Sequence, residues 1–148
     1  MNMEHTLTTR LQDATIELSM GLYTVRFHDE AVLDVNQMRR VEAARRELLA
    51  DGKGPVLVLI PSNAALVEQE ALAWLGSEEA MDNVSARAVV VPSSIAVLRD
   101  RIRWALFRPT VPFRIFRNPQ VAKGWALDQW YDKQIGLEID SFEQDGII

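Results

Sequence analysis

Cysteine is absent from the 148 residues. Disulfides, thiolate metal sites and cysteine nucleophiles are therefore excluded. Histidine is scarce. His5 and His28 are the two in the chain, both in segments that read as irregular, and no Asp/Glu/His spacing resembles a metal site. No Gly-x-Ser-x-Gly turn occurs, so a serine-hydrolase triad lacks its strained elbow. Gly52-Lys53-Gly54 is not a phosphate loop, because it precedes an apolar run where that loop follows a strand and opens a helix. Phosphoryl transfer and dinucleotide chemistry have no support, and no metal or cofactor is expected. No apolar run reaches the ~18–20 residues that span a bilayer. Residues 1–12 lack an apolar signal core and read as a polar lead-in. A cytoplasmic protein without integral membrane association is expected. The net charge of −5 leads to the expectation of no nucleic-acid partner. Internal repeats, low-complexity segments and linkers are missing too.

What is present is an α/β pattern. Hydrophobic content of 48% and charged content of 25% are those of a globular domain, and the length suits one core. Val56-Leu57-Val58-Leu59-Ile60 lies between the turn signals Gly54-Pro55 and Pro61-Ser62-Asn63. Five apolar residues in a row read as a central strand buried on both faces. Before it, Ala14–Met20 and Leu22–Phe27 alternate apolar and polar around Gly21, a half-buried antiparallel hairpin. Asp34 caps a first helix, with Gln37 placed to complete a capping box. Val35, Met38, Val41, Ala44 and Leu48 form its stripe, and Arg39, Arg40, Arg45, Arg46 and Glu47 fall mostly off it. Asp51-Gly52 ends this helix, with glycine expected in the left-handed cap.

After the central strand the spacing predicts a helix from Glu68 to about Met81, with Leu72, Leu75 and Trp74 turned to the sheet. A parallel strand follows over Ala86–Val91, then a helix over Ile95–Phe107. A last strand, Val111–Phe116, is guarded by Pro109 and Pro112 and so placed at an edge. Asn118-Pro119 starts a fourth helix ending near Gly136. The expectation is one mixed sheet with helical crossovers in the order ββαβαβαβα. Residues 1–13 are the lead-in, 14–136 the domain and 137–148 a tail.

This order resembles the STAS domain of bacterial anti-sigma-factor antagonists. Leu22–Phe27 before a capped helix is similar to the family's second strand. Val56–Ile60 with its following loop and helix is similar to its third strand and switch loop. Phe113–Asn118 followed by Ala122, Trp125 and Leu127 is similar to its last strand and closing helix. The chain looks most like the branch grouped with CRAL-TRIO-type lipid-binding domains. The resemblance implies a non-enzymatic regulatory module acting through protein contacts. The antagonists carry a phosphorylated serine in an Asp-Ser pair at the start of the second helix. The matching positions here are Glu68 and Gln69, so that serine is missing. A fixed phosphoserine-like charge on Glu68 and Glu70 competes with plain helix-dipole stabilisation by acids.

Three further groups are candidate sites. Ser62, Asn63, Ser93 and Ser94 follow the carboxyl ends of parallel strands, the edge where open α/β sheets bind ligands. Capping is the plain alternative. Arg101, Arg108, Arg114 and Arg117 belong to a stretch from Arg99 to Arg117 with six arginines and one acid. Such forks suit an anion or an acidic partner, and edge protection is the alternative. Trp130, Tyr131, Leu137, Ile139 and Phe142 come after the sheet is complete and suit a dimer contact. A small amphiphilic or anionic ligand, seated between the sheet and the third helix, is the competing function to a protein partner or self-association.

Overall fold

Alternating side chains build the first half of the sheet. The computed structural model describes residues 6–49, 52–93 and 111–129. Strands β1 (Leu7–Arg10), β2 (Ala14–Ser19) and β3 (Leu22–Phe27) form an antiparallel meander. Met20 and Gly21 join β2 to β3 with φ of 52° and 82°. Positive φ at both central residues is the two-residue hairpin turn whose twist matches the strands. Ile16, Leu18, Tyr23 and Val25 point to one face and are buried. Thr15, Glu17, Thr24 and Arg26 point to the other, where they are exposed or half-buried.

The second half is parallel. β4 (Val32–Leu33) and helix α1 (Val35–Leu48) lead to β5 (Gly54–Leu59). β6 (Leu66–Val67) and α2 (Gln69–Trp74) lead to β7 (Val84–Val90), and β8 (Phe113–Phe116) follows. The main sheet runs β1-β2-β3-β5-β7-β8, while β4 and β6 pair in a separate parallel ribbon. Residues 119–129 are helical and form α3. Among the described residues no helix is long and apolar enough to cross a membrane.

Each face of the sheet has its own core. Val56, Val58 and Val89 meet Met38 and Val41 of α1 and Leu72 and Leu75 at α2 in one cluster. Leu57, Ala88, Val90 and Phe116 meet Ala122 and Ala126 of α3 in the other. Phe116 and Trp125 close that second layer with ring centroids 5.5 Å apart at 54°. All of β7 is buried, as expected of a parallel strand covered on both sides.

The structure is the mixed α/β sheet expected from the pattern, with several local corrections. Part of the lead-in is a strand, because Leu7 and Thr9 pair with Leu18 and Ile16 of β2. The helix expected over Glu68–Met81 stops at Trp74 and continues as turns. Gly76 and Ser77 interrupt it there, both poorer helix formers than alanine, and the Ser77 hydroxyl accepts from Ala80 N–H. Asp34 caps α1 through Gln37 N–H at 2.8 Å. The Gln37 side chain does not return that bond; it accepts from Arg40. Gly52 does not hold a left-handed cap. Its value is space, since a Cβ there would lie 2.5 Å from the Tyr23 hydroxyl. The expected helix over Ile95–Phe107 and the tail lie outside the described residues.

Candidate functional site

The carboxyl ends of β3, β5 and β7 share one edge of the sheet, and the short ribbon stiffens it. Glu30, with φ of 63°, donates its N–H to Asn63 C=O at 3.2 Å. Ala65 N–H donates to Ala31 C=O at 2.9 Å, and Glu68 N–H to Leu33 C=O at 3.0 Å. These bonds lock the loops after β3 and β5 together. Val32 and Leu66 face each other across the ribbon. They remain 36% and 45% exposed, so this edge presents an apolar pair that no described element covers. Asp29 and Glu30 just before β4, and Glu68 and Glu70 just after β6, are exposed. A cleft of about 370 Å³ lies beside the ribbon, lined by Glu68, Gln69, Glu70 and Ala73.

Ser62, Asn63 and Ser93 lie on this edge and are exposed. The structure brings Ser62 and Asn63 to the ribbon through Asn63 C=O, while the cleft is lined by other residues. Glu68 is the N-cap residue of α2 but makes no side-chain capping bond, and it is exposed. Ser94, Arg101, Arg108, Trp130, Tyr131, Leu137, Ile139 and Phe142 lie outside the described residues. Arg114 and Arg117 are exposed at and after β8. The Arg114 guanidinium sits 5.2 Å from the Phe116 ring centroid, so this arginine covers the edge of the second core layer. A wider groove of about 580 Å³ runs along the outer flank of α1, between Leu11 and Gln12 on one side and Gln37, Arg40 and Glu47 on the other.

The group that sequence reasoning missed is buried. Glu42 and Arg45 of α1 and Arg87 of β7 are 1%, 0% and 0% exposed. Glu42 Oε1 accepts from Arg45 Nε at 3.0 Å and from Arg87 Nη2 at 2.7 Å. Glu42 Oε2 accepts from Arg87 Nη1 at 3.3 Å. Arg87 also donates to Ala80 C=O at 2.9 Å, and Arg45 to Asp82 C=O at 3.0 Å. The triad thus ties α1, β7 and the turns at 77–83 into one unit. Burial works against the Glu42 carboxylate, but the two guanidiniums outweigh it and hold its pKa below the ordinary glutamate range. Burial also lowers Arg45, against the pull of Glu42. Arg45 further stacks 5.3 Å from the Tyr23 ring centroid. Burial raises the Tyr23 hydroxyl above its usual value, with Arg45 opposing. Two signals were available. Arg87 interrupts a strand that is otherwise apolar, and arginine is almost never fully buried without a partner. Arg45 lies four after Val41 and seven after Met38, on the helical stripe rather than off it.

Among the described residues no group of three His, Asp or Glu could hold a metal ion. The fold and its edges define an α/β domain with one mixed sheet and a reinforced carboxyl edge. Residues 16–129 match the family described as Domain of unknown function (DUF7793), and the chain belongs to that family. No curated protein and no solved structure matches the chain.

Proposed function

We propose that the chain is a non-enzymatic interaction module of the STAS type, which meets a protein partner through the carboxyl edge of its sheet. The observation that carries this reading is the Val32–Leu66 pair, apolar and exposed, with the exposed acids Asp29, Glu30, Glu68 and Glu70 on the chain segments that flank the ribbon. An apolar centre with a charged rim is the anatomy of a transient interface. The backbone bonds of the ribbon present it as a preformed platform, which lowers the ordering cost of association. The acids call for a partner face bearing lysine or arginine. A reaction centre has less support. The most strongly placed charges, Glu42, Arg45 and Arg87, are spent on each other and shut away from solvent. The position of Glu68 and Gln69 at the start of α2 gives the edge a constant charge where the antagonists have a phosphorylated serine.

The test places a photo-crosslinking residue at position 66, and at Thr24 on the polar sheet face as a control. The expected result is an adduct specific to position 66, reduced by salt and lost with Glu68→Lys plus Glu70→Lys. The same adducts from both positions, or none from position 66, would overturn the reading.

A further inference from the structure

At the opposite edge, where the parallel strands begin, the chain holds a second cleft. Its floor is a cross-strand row. Leu7 pairs with Leu18, and Leu18 with Tyr23. The Met20-Gly21 turn walls one side, Gly52 and Lys53 the other, and Leu49, just past α1, overhangs it. The volume is about 320 Å³, at the small end of ligand pockets, which span roughly 300–1,000 Å³.

Three features set this cleft apart from an ordinary surface dent. First, Met20, Leu49 and Leu7 are 81%, 48% and 39% exposed. Half of the six large apolar side chains exposed among the described residues line this one place. Second, glycines shape it. A Cβ on Gly54 would come 2.9 Å from Gly21 C=O, and one on Gly52 would strike the Tyr23 hydroxyl. The strand starts therefore close tightly below while Tyr23 stays on the floor, its hydroxyl donating to Gly52 C=O at 3.3 Å. Third, among the described residues Lys53 is the single charged one in the lining, and it is exposed. Apolar walls with one cation at the rim select a molecule with an apolar body and one negative end.

We propose that this amino-edge cleft binds a small amphiphilic carboxylate, its apolar body on Leu7, Leu18 and Met20 and its carboxylate on the Lys53 ammonium. The site lies at the other end of the sheet from the Val32–Leu66 edge and does not depend on the partner reading. Lysine suits this role as a flexible point charge, and its stem extends the apolar wall.

The experiment is calorimetric titration of the full chain with hexanoate, octanoate and decanoate below their micelle concentrations. Octanol and octyltrimethylammonium serve as head-group controls. The expected result is one equivalent bound, with Kd falling about fourfold per added methylene, the factor that ~0.8 kcal/mol per CH₂ implies. Octanoate should bind more tightly than octanol, and octyltrimethylammonium most weakly. Lys53→Gln should bring octanoate to the level of octanol, and Met20→Asp should abolish binding. Both side chains are exposed, so unchanged melting temperatures confirm that these variants fold. Methyl NMR on Met20 should move on titration while that of Val121, exposed on α3, stays still. Equal binding of the three head groups, more than one equivalent, no effect of Lys53→Gln, or no binding of decanoate would each overturn the proposal. None of these outcomes touches the crosslinking result at position 66.

Discussion

Replacing Glu42 by glutamine removes one charge and almost no volume, so its cost isolates the electrostatics of the buried triad. The native carboxylate accepts three bonds from two guanidiniums. Glutamine keeps one acceptor, turns an amide N–H toward the other donors and leaves two cations buried together. Removing one partner of a buried ion pair costs about 3–5 kcal/mol. That is a large share of the roughly 5–15 kcal/mol by which domains are stable. At about 2–4 °C per kcal/mol for a chain of this size, the melting point should fall by about 6–20 °C. Urea unfolding followed by tryptophan fluorescence measures the free energy, and a thermal scan the melting point. The paired control is Glu42→Leu, Arg45→Met and Arg87→Met together. With all three charges gone, stability should return to within a few kcal/mol of the parent or exceed it. The pH dependence carries a sign. The folded Glu42 pKa lies below its unfolded value. Its contribution is therefore complete above roughly pH 4.3 and is lost as pH falls through the lower folded value. The acid limb of Glu42→Gln should be shallower than that of the parent in this window. A loss under ~1 kcal/mol for Glu42→Gln, with an unchanged acid limb, would refute the reasoning.

Gly54→Ala forces a methyl to 2.9 Å from Gly21 C=O and should cost about 1–3 kcal/mol by the same urea assay, while equal stability would show that the strand starts relax apart. Asn118→Ala removes the Oδ1 acceptor that holds Gln120 and Val121 N–H at 2.8 and 3.1 Å. It should cost about 1 kcal/mol and leave the unfolding slope unchanged. Glu68-Gln69 offers no phosphoacceptor, so intact mass of the chain from its own cells should show no stoichiometric phosphate. Phosphate on exposed Ser62 would restore a switch with a shifted acceptor.

The elements that were legible are those whose period is visible in one dimension. The alternation in Ala14–Ser19 and Leu22–Phe27, the unbroken run from Val56 and the Asn118-Pro119 cap each state their own environment. The ribbon of Val32–Leu33 and Leu66–Val67 was not legible. Two-residue strands have no period, and their pairing depends on the loops between them. The triad escaped because its parts are 45 residues apart at the extremes. Each alone looks like a surface charge, and only the helix stripe and the apolar strand, superposed, require that they meet. The amino-edge cleft is a product of the start of β1, the Met20-Gly21 turn and the residues after α1 approaching each other, which no single stretch of sequence announces.

The main sheet has its strands side by side in the order in which they occur along the chain. Among the described residues no strand waits for a later one to be inserted between it and its neighbour. As the chain leaves the ribosome, β3 meets a finished hairpin partner, and β5, β7 and β8 each add to an edge already in place. Growth by accretion from the amino terminus keeps the loop closed at each step short. It also means that a truncated nascent chain exposes a single growing edge. Besides the outer side of β1, the cell thus has one moving edge to guard during synthesis rather than several.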